Sequence, residues 1–199
     1  MTQAVVASGR LALVADHLVL ALRDADASDG ASFVVSWYSV AFSSTAPGGN
    51  LAFIRSAALP DGELVATDSA GLDRVLRERL KPRSWPLDDA KRPATSATFE
   101  RSPIRDGAVT ARIVAGAHVI EVAWRDLGTP LVAAGRVGGA DAPWDTTTVL
   151  IEAGGWSAAV DGQPVAGRPF PNHVWDGWFG RPLSSALVAL AEVFREVDA

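Results

Sequence analysis

Short runs of alternating apolar and polar residues dominate the chain, and Asp-Gly pairs punctuate them. Asp29-Gly30, Asp61-Gly62, Asp106-Gly107 and Asp161-Gly162 each lie beside such a run. Asp-Gly suits the positive-φ positions of a tight hairpin, so each pair predicts a reversal between strands. The flanking segments SFVVSWYSVAF, LAFIRSAAL, TFERSPI, AVTARIVAG and WSAAV therefore read as strands. HVIEVAW, LVAAGRV and TTTVLIEA join them on their β-branched and apolar content. The pairs are irregularly spaced, which excludes the fixed period of a propeller or solenoid.

Two segments depart from this rhythm. In DSAGLDRVLRERLKP, Leu72, Val75, Leu76 and Leu80 share a helical face behind an Asp68 or Ser69 cap, which predicts a helix over about 69–81. In RPLSSALVALAEVFREV, Leu187, Leu190, Phe194 and Val197 recur at helical spacing after Pro182, which predicts a second helix over about 182–197. Residues 81–97 carry three Pro and no periodicity, and read as a long loop, either a functional flap or a mobile segment. The pattern as a whole predicts a mainly β, single-domain protein. Its expected form is an antiparallel β-barrel or a strongly curved β-sandwich of about ten to twelve short strands with two helices.

Composition narrows the chemistry more than it suggests any. The 199-residue chain contains no Cys, which removes disulfides, thiolate metal sites and cysteine nucleophiles. Net charge is −5 without a block of either sign, so no basic stripe is present to replace counterions along nucleic acid. The opening MTQAVVASGRLALVADHLVLAL lacks a positive start and an A-x-A site, and Asp16 and His17 interrupt its apolar run. A soluble, cytoplasmic protein without a membrane span is the expectation.

Motif chemistry is sparse. The chain has no Gly-x-Ser-x-Gly, phosphate-loop or His-Glu-x-x-His sequence. GRVGGADA lacks the dinucleotide-binding spacing, and DADASDG places Val35 where a calcium loop requires Glu. His17, His118 and His173 are widely separated, so neither a metal nor a cofactor is expected.

What remains is aromatic. GRPFPNHVWDGWFGRP, residues 167–182, gathers Trp175, Trp178 and two Phe around His173 and Asp176. His173 and Asp176, three apart, form the expected catalytic pair. Trp124, Trp144, Trp175 and Trp178, with Arg112, Glu121 and His118 from strand positions, form the expected ligand-binding set. For Arg112 and Glu121 the competing expectation is an outward face of cross-strand charge pairs. The expected function is binding of a small apolar or aromatic molecule in a Trp-lined barrel pocket. Two alternatives share the scaffold: a cofactor-free lyase, isomerase or hydrolase, and an assembly protein that uses sheet edges, including a homo-oligomer.

Overall fold

The computed structural model describes residues 9–24, 30–79, 93–137 and 144–196. The chain is mainly β, as its alternation predicts. Strands β1 (Arg10–Leu22), β2 (Phe33–Ser43), β3 (Gly49–Arg55) and β4 (Glu63–Thr67) run antiparallel in sequence order. Helix α1 (Ala70–Arg79) then carries the chain to β5 (Thr95–Arg101). β6 (Val109–Ala115), β7 (His118–Leu127), β8 (Leu131–Val137) and β9 (Trp144–Val160) follow, and β10 (Gln163–Pro164) folds back on β9. β11 (Pro171–Asn172), a 3-10 turn (His173–Trp175), α2 (Asp176–Phe179) and β12 (Leu183–Ser184) precede β13 (Ala186–Glu196).

Hydrogen bonding closes these strands into a ring in the order β9-β13-β1-β2-β3-β4-β5-β6-β7 and back to β9. The long strand β9 makes closure possible. Its first half lies between β13 and β8, and its second half pairs with β7. β4 and β5 meet in parallel over Ala66↔Thr95 and Thr67↔Ser96. A parallel pair needs a crossover, and α1 lies in it.

Two of the Asp-Gly pairs described at both residues form the predicted tight turn. Asp106 and Gly107 have φ of +50° and +69°, and Asp161 and Gly162 have +52° and +76°. These are the two positive-φ positions of a two-residue hairpin turn. Gly62 is also positive, whereas Asp176-Gly177 opens α2. Asp29, the remainder of the calcium-like segment through Ser28 from Ala25, and residues 80–92 of the long loop lie outside the described residues.

Three expectations need correction. The predicted C-terminal helix over 182–197 is instead β12 and β13. β13 is a central strand between β1 and β9, with Val188 and Leu190 packed inward and Leu187 and Ala189 outward. Apolar side chains on both faces fill every helical position as well, so periodicity cannot separate the two states. The opening apolar run, to which the pattern assigns no element, is β1, which pairs with both β2 and β13. TTTVLIEA and WSAAV are one strand, because Gly154 and Gly155 let β9 continue past Asp126, whose carboxylate would lie 2.8 Å from a Cβ at Gly155.

The inner face of the ring is filled. Leu18, Leu20, Phe33, Trp37, Ile120 and Trp124 belong to one buried cluster to which most strands of the ring contribute. A ring of this strand number leaves room inside for packed side chains. On the outer face α1 inserts Leu72 and Leu76 against Tyr38, Phe53 and Val65. A third cluster, around Leu150, Leu183 and Leu187, lies outside the ring under the aromatic segment. Among the described residues no helix is long and apolar enough to cross a membrane.

Candidate functional site

The aromatic segment forms a cap on the outer face of β8, β9 and β13. Asn172 caps the 3-10 turn by accepting from Val174 N at 3.2 Å. Gly180 closes α2 in the left-handed region at φ +66°, donating to the Asp176 carbonyl at 2.8 Å. Both ends are tied to the ring. Ser185 Oγ accepts from Phe170 N at 2.9 Å and donates to the Ala21 carbonyl at 2.6 Å. Glu152 of β9 accepts from Arg181 Nη2 and from Ser184 N, each at 2.7 Å. The Arg181 hydrogen bond holds the Glu152 carboxyl below its ordinary range and raises the guanidinium in turn.

Trp175 and Trp178 meet edge to face with centroids 6.0 Å apart. Both are half-buried against Ala133, Leu150, Leu183 and Leu187, as is Phe179. Trp178 lies over Gly135 of β8: a Cβ there would be 3.7 Å from the ring. The absence of that methyl leaves the floor open. Beside it is a cleft of about 380 Å³ lined by Val132 to Gly135, Gly177, Trp178 and Phe179.

The strand register extends this floor into a band of polar residues. Gly135 pairs with Thr146, and Ala133 with Thr148. On β13 the register jumps from Leu190↔Val149 to Val193↔Thr147, so Ala191 and Glu192 bulge opposite Thr148. Ala191 there has φ +49°, an uncommon conformation for a side-chain-bearing residue. Glu192 pairs with Ala15 on β1, and the next outward residue on β1 is His17, opposite Tyr38 of β2. Thr146, Thr148 and Glu192 are all buried. Thr146 Oγ1, Thr148 Oγ1, Glu192 Oε2 and Trp175 Nε1 have no hydrogen-bond partner among the described residues.

At the far end of the band His17 stacks on Tyr38, with centroids 3.8 Å apart. His17 Nε2 lies 2.8 Å from Ser36 Oγ, and its Nδ1 lies 3.8 Å from Glu192 Oε2. Burial lowers the His17 pKa to about 3. Burial, with the nearby Asp16 charge, raises that of Glu192 to about 8. Desolvation disfavours charge on either group, so at neutral pH imidazole and carboxyl are both uncharged. Burial and then Glu192 push the Tyr38 phenol up as well.

The predicted site residues do not converge. His173 Nδ1 and Asp176 Oδ2 do pair, at 3.0 Å, but on the exposed outside of the cap, with side-chain exposures of 71% and 48%. Trp178 lines the cleft, and Trp175 packs against it edge to face. Trp124 is fully enclosed in the ring, its Nε1 donating to the Val19 carbonyl at 2.8 Å. Trp144 begins β9 opposite Val137, and its side chain lies outside the described set. Arg112 stands between Glu100 and Glu121, 3.8 Å from each, as an outward cross-strand ladder. His118 pairs with Asp161 at 2.8 Å on the rim, and its hydrogen bond lowers the aspartate pKa.

The residues that sequence reasoning passed over are Ser36, Tyr38, Thr146, Thr148 and Glu192, together with His17, which entered only as a break in the opening apolar run and as a candidate metal ligand. Their signal is faint but present. Asp16-His17 breaks the apolar run of β1, and Glu192 breaks that of β13.

Comparison of the chain with models of protein families gave no match. Searches against curated proteins and against solved structures likewise gave none.

Proposed function

We propose that the protein binds a small apolar or aromatic molecule on the outside of the ring, in the cleft between β8 and the aromatic cap. The observation that carries this is the Trp178–Gly135 arrangement beside a volume of about 380 Å³. That volume lies at the small end of the range of ligand pockets. With the interior filled by side chains, this reading puts the pocket on the surface of the ring, where the sequence reading expects it inside the barrel. The reading keeps a cytoplasmic protein whose partner is a small molecule rather than nucleic acid.

The test is a ligand-observed NMR titration with 2-methylnaphthalene. Binding that weakens about tenfold in Trp178→Leu matches the loss of roughly 1.4 kcal/mol of apolar burial. Binding unchanged by that substitution places the ligand elsewhere.

One observation favours a second, catalytic reading. Ser36 Oγ lies 2.8 Å from His17 Nε2, the pairing of a nucleophile with a base, while Glu192 stands 3.8 Å from Nδ1, beyond hydrogen-bond reach. Ser36 is 4% exposed, so this reading requires the outer face to open before an ester could reach it. Labelling by a fluorophosphonate at Ser36, abolished by His17→Gln, supports it; an unlabelled Ser36 removes it.

A further inference from the structure

Four consecutive residues of β8, Val132 to Gly135, line the cleft beside the cap. Side chains alternate between the two faces of a strand, so four in a row cannot meet one cleft through a single face. Ala133 packs outward with the cap's neighbours, and Gly135 lies beneath Trp178. Val132 and Ala134 belong to the opposite face, where both are exposed, Val132 by 67%. The cleft therefore runs along the edge of β8, and backbone is what all four residues present to it.

That edge is unpaired among the described residues. β8 pairs with β9 on one side, from Leu131↔Leu150 to Val137↔Trp144 without a register shift, and with no other strand. In an antiparallel ladder alternate residues spend their N–H and C=O on the neighbour, and the intervening ones point theirs away. Sheet edges are commonly blunted by a bulge, a Pro or a charged side chain. Leu131 to Gly135 carry none of these, and Ala133, Ala134 and Gly135 are small enough for another backbone to come close. Across the groove stand Gly177, Trp178 and Phe179. Gly177 is exposed, and a Cβ there would meet nothing within 4 Å, so this wall is open to an incoming chain. A second copy fits less well, because its own β8 edge brings a second cap into the same space.

We propose that the groove takes an extended peptide segment, which adds to β8 as a further strand and sets an aromatic side chain against Trp178 and Phe179. This rests on the cleft reading above and names what carries the aromatic group. Val132 to Gly135 offer about 13 Å of edge, enough for four residues of an extended chain. Every second residue of the peptide turns towards the cap, and those between lie beside Val132 and Ala134 on the open face. Main-chain hydrogen bonds hold the segment, and the aromatic wall selects its side chain.

The probe is acetyl-Thr-Val-Phe-Val-Thr-amide, titrated by NMR into isotope-labelled protein, with 2-methylnaphthalene titrated in parallel. The peptide should shift the amides of Leu131–Val137. Replacing its Phe by Ala, or filling the groove with Gly177→Leu, should weaken binding about tenfold. Methylating its amide nitrogens one at a time on the wild-type protein should cost about fivefold at every second position and little at those between, since only alternate N–H groups face β8. This series needs no protein variant. Uniform effects of methylation, or affinity unchanged by Gly177→Leu, overturn strand addition. Binding of 2-methylnaphthalene without binding of the peptide overturns the peptide assignment and leaves the cleft standing. If neither binds, both fall. Shifts of the same amides with protein concentration alone give the edge to a second copy and overturn the proposal.

Discussion

At the scale of single residues, the neutral pair His17 and Glu192 leaves a mark on stability that needs no ligand to observe. His17 is held at a pKa of about 3 against an ordinary 6.5, so its contribution is present above pH 6.5 and lost as pH falls towards 3. Glu192 is held at about 8 against 4.5, so its contribution is present below pH 4.5 and lost as pH rises towards 8. Between 4.5 and 6.5 the two slopes oppose each other and cancel. Urea unfolding should therefore show a plateau over that interval, falling on both sides by at most about 1.4 kcal/mol per pH unit. Glu192→Gln removes the fall between 6.5 and 8, and an alkaline limb that persists in this variant would assign it to another group. Beside Glu192, Ala191 holds φ +49° while donating its N–H to Asp16. Glycine adopts that conformation without the Cβ clash, so Ala191→Gly should raise stability by about 1 kcal/mol. A drop in melting temperature would show that the bulge is not strained.

At the scale of elements, the aromatic cap belongs to the ring through few contacts, and each is identifiable. Ser185 joins the segment before the cap to β1 by accepting from Phe170 N and donating to the Ala21 carbonyl. Ser185→Ala leaves a donor and an acceptor without that partner, and should cost about 1–3 kcal/mol in denaturant unfolding. A cost near zero would mean that solvent reaches both groups. The cap also shows what was legible. An aromatic cluster at residues 167–182 is visible in the sequence, because seven Trp against one Tyr make its density unusual. So were the hairpins at Asp106-Gly107 and Asp161-Gly162, whose backbone requirement is local. β13 was misread because a strand buried on both faces carries no alternation, and its Ala, Leu and Glu favour helix until pairing on both edges overrides them. The polar band was illegible for a different reason. Its members come from β1, β2, β9 and β13, and only the ring order and the register jump at Ala191 bring Thr148 beside Glu192 and Glu192 beside His17.

At the scale of the whole molecule, the ring is uneven in strength. β1 pairs with β2 and with β13 along most of its length, whereas β4 and β5 share two residue pairs in parallel. Parallel pairing is the less stable of the two patterns per residue, and so short a seam has little to hold it. The inner cluster bridges it with Ala66 and Ala97, which are small side chains with little area to bury. A charged contact crosses the ring from the β5 side: Arg101 at the end of β5 reaches Asp16 on β1 at 2.7 Å, but it is partly exposed and worth at most about 1 kcal/mol. Local opening should therefore begin at the β4–β5 seam, while the β1–β13 and β1–β2 ladders open only with global unfolding. Native-state hydrogen exchange tests this directly. Amides bonded across Ala66, Thr67, Thr95 and Ser96 should exchange at lower free energy than those of Leu18 and Val188, and Arg101→Met should widen the difference. Equal protection at the two places would mean that the ring opens as one cooperative unit, with the filled interior rather than the hydrogen-bonded seam deciding where it yields.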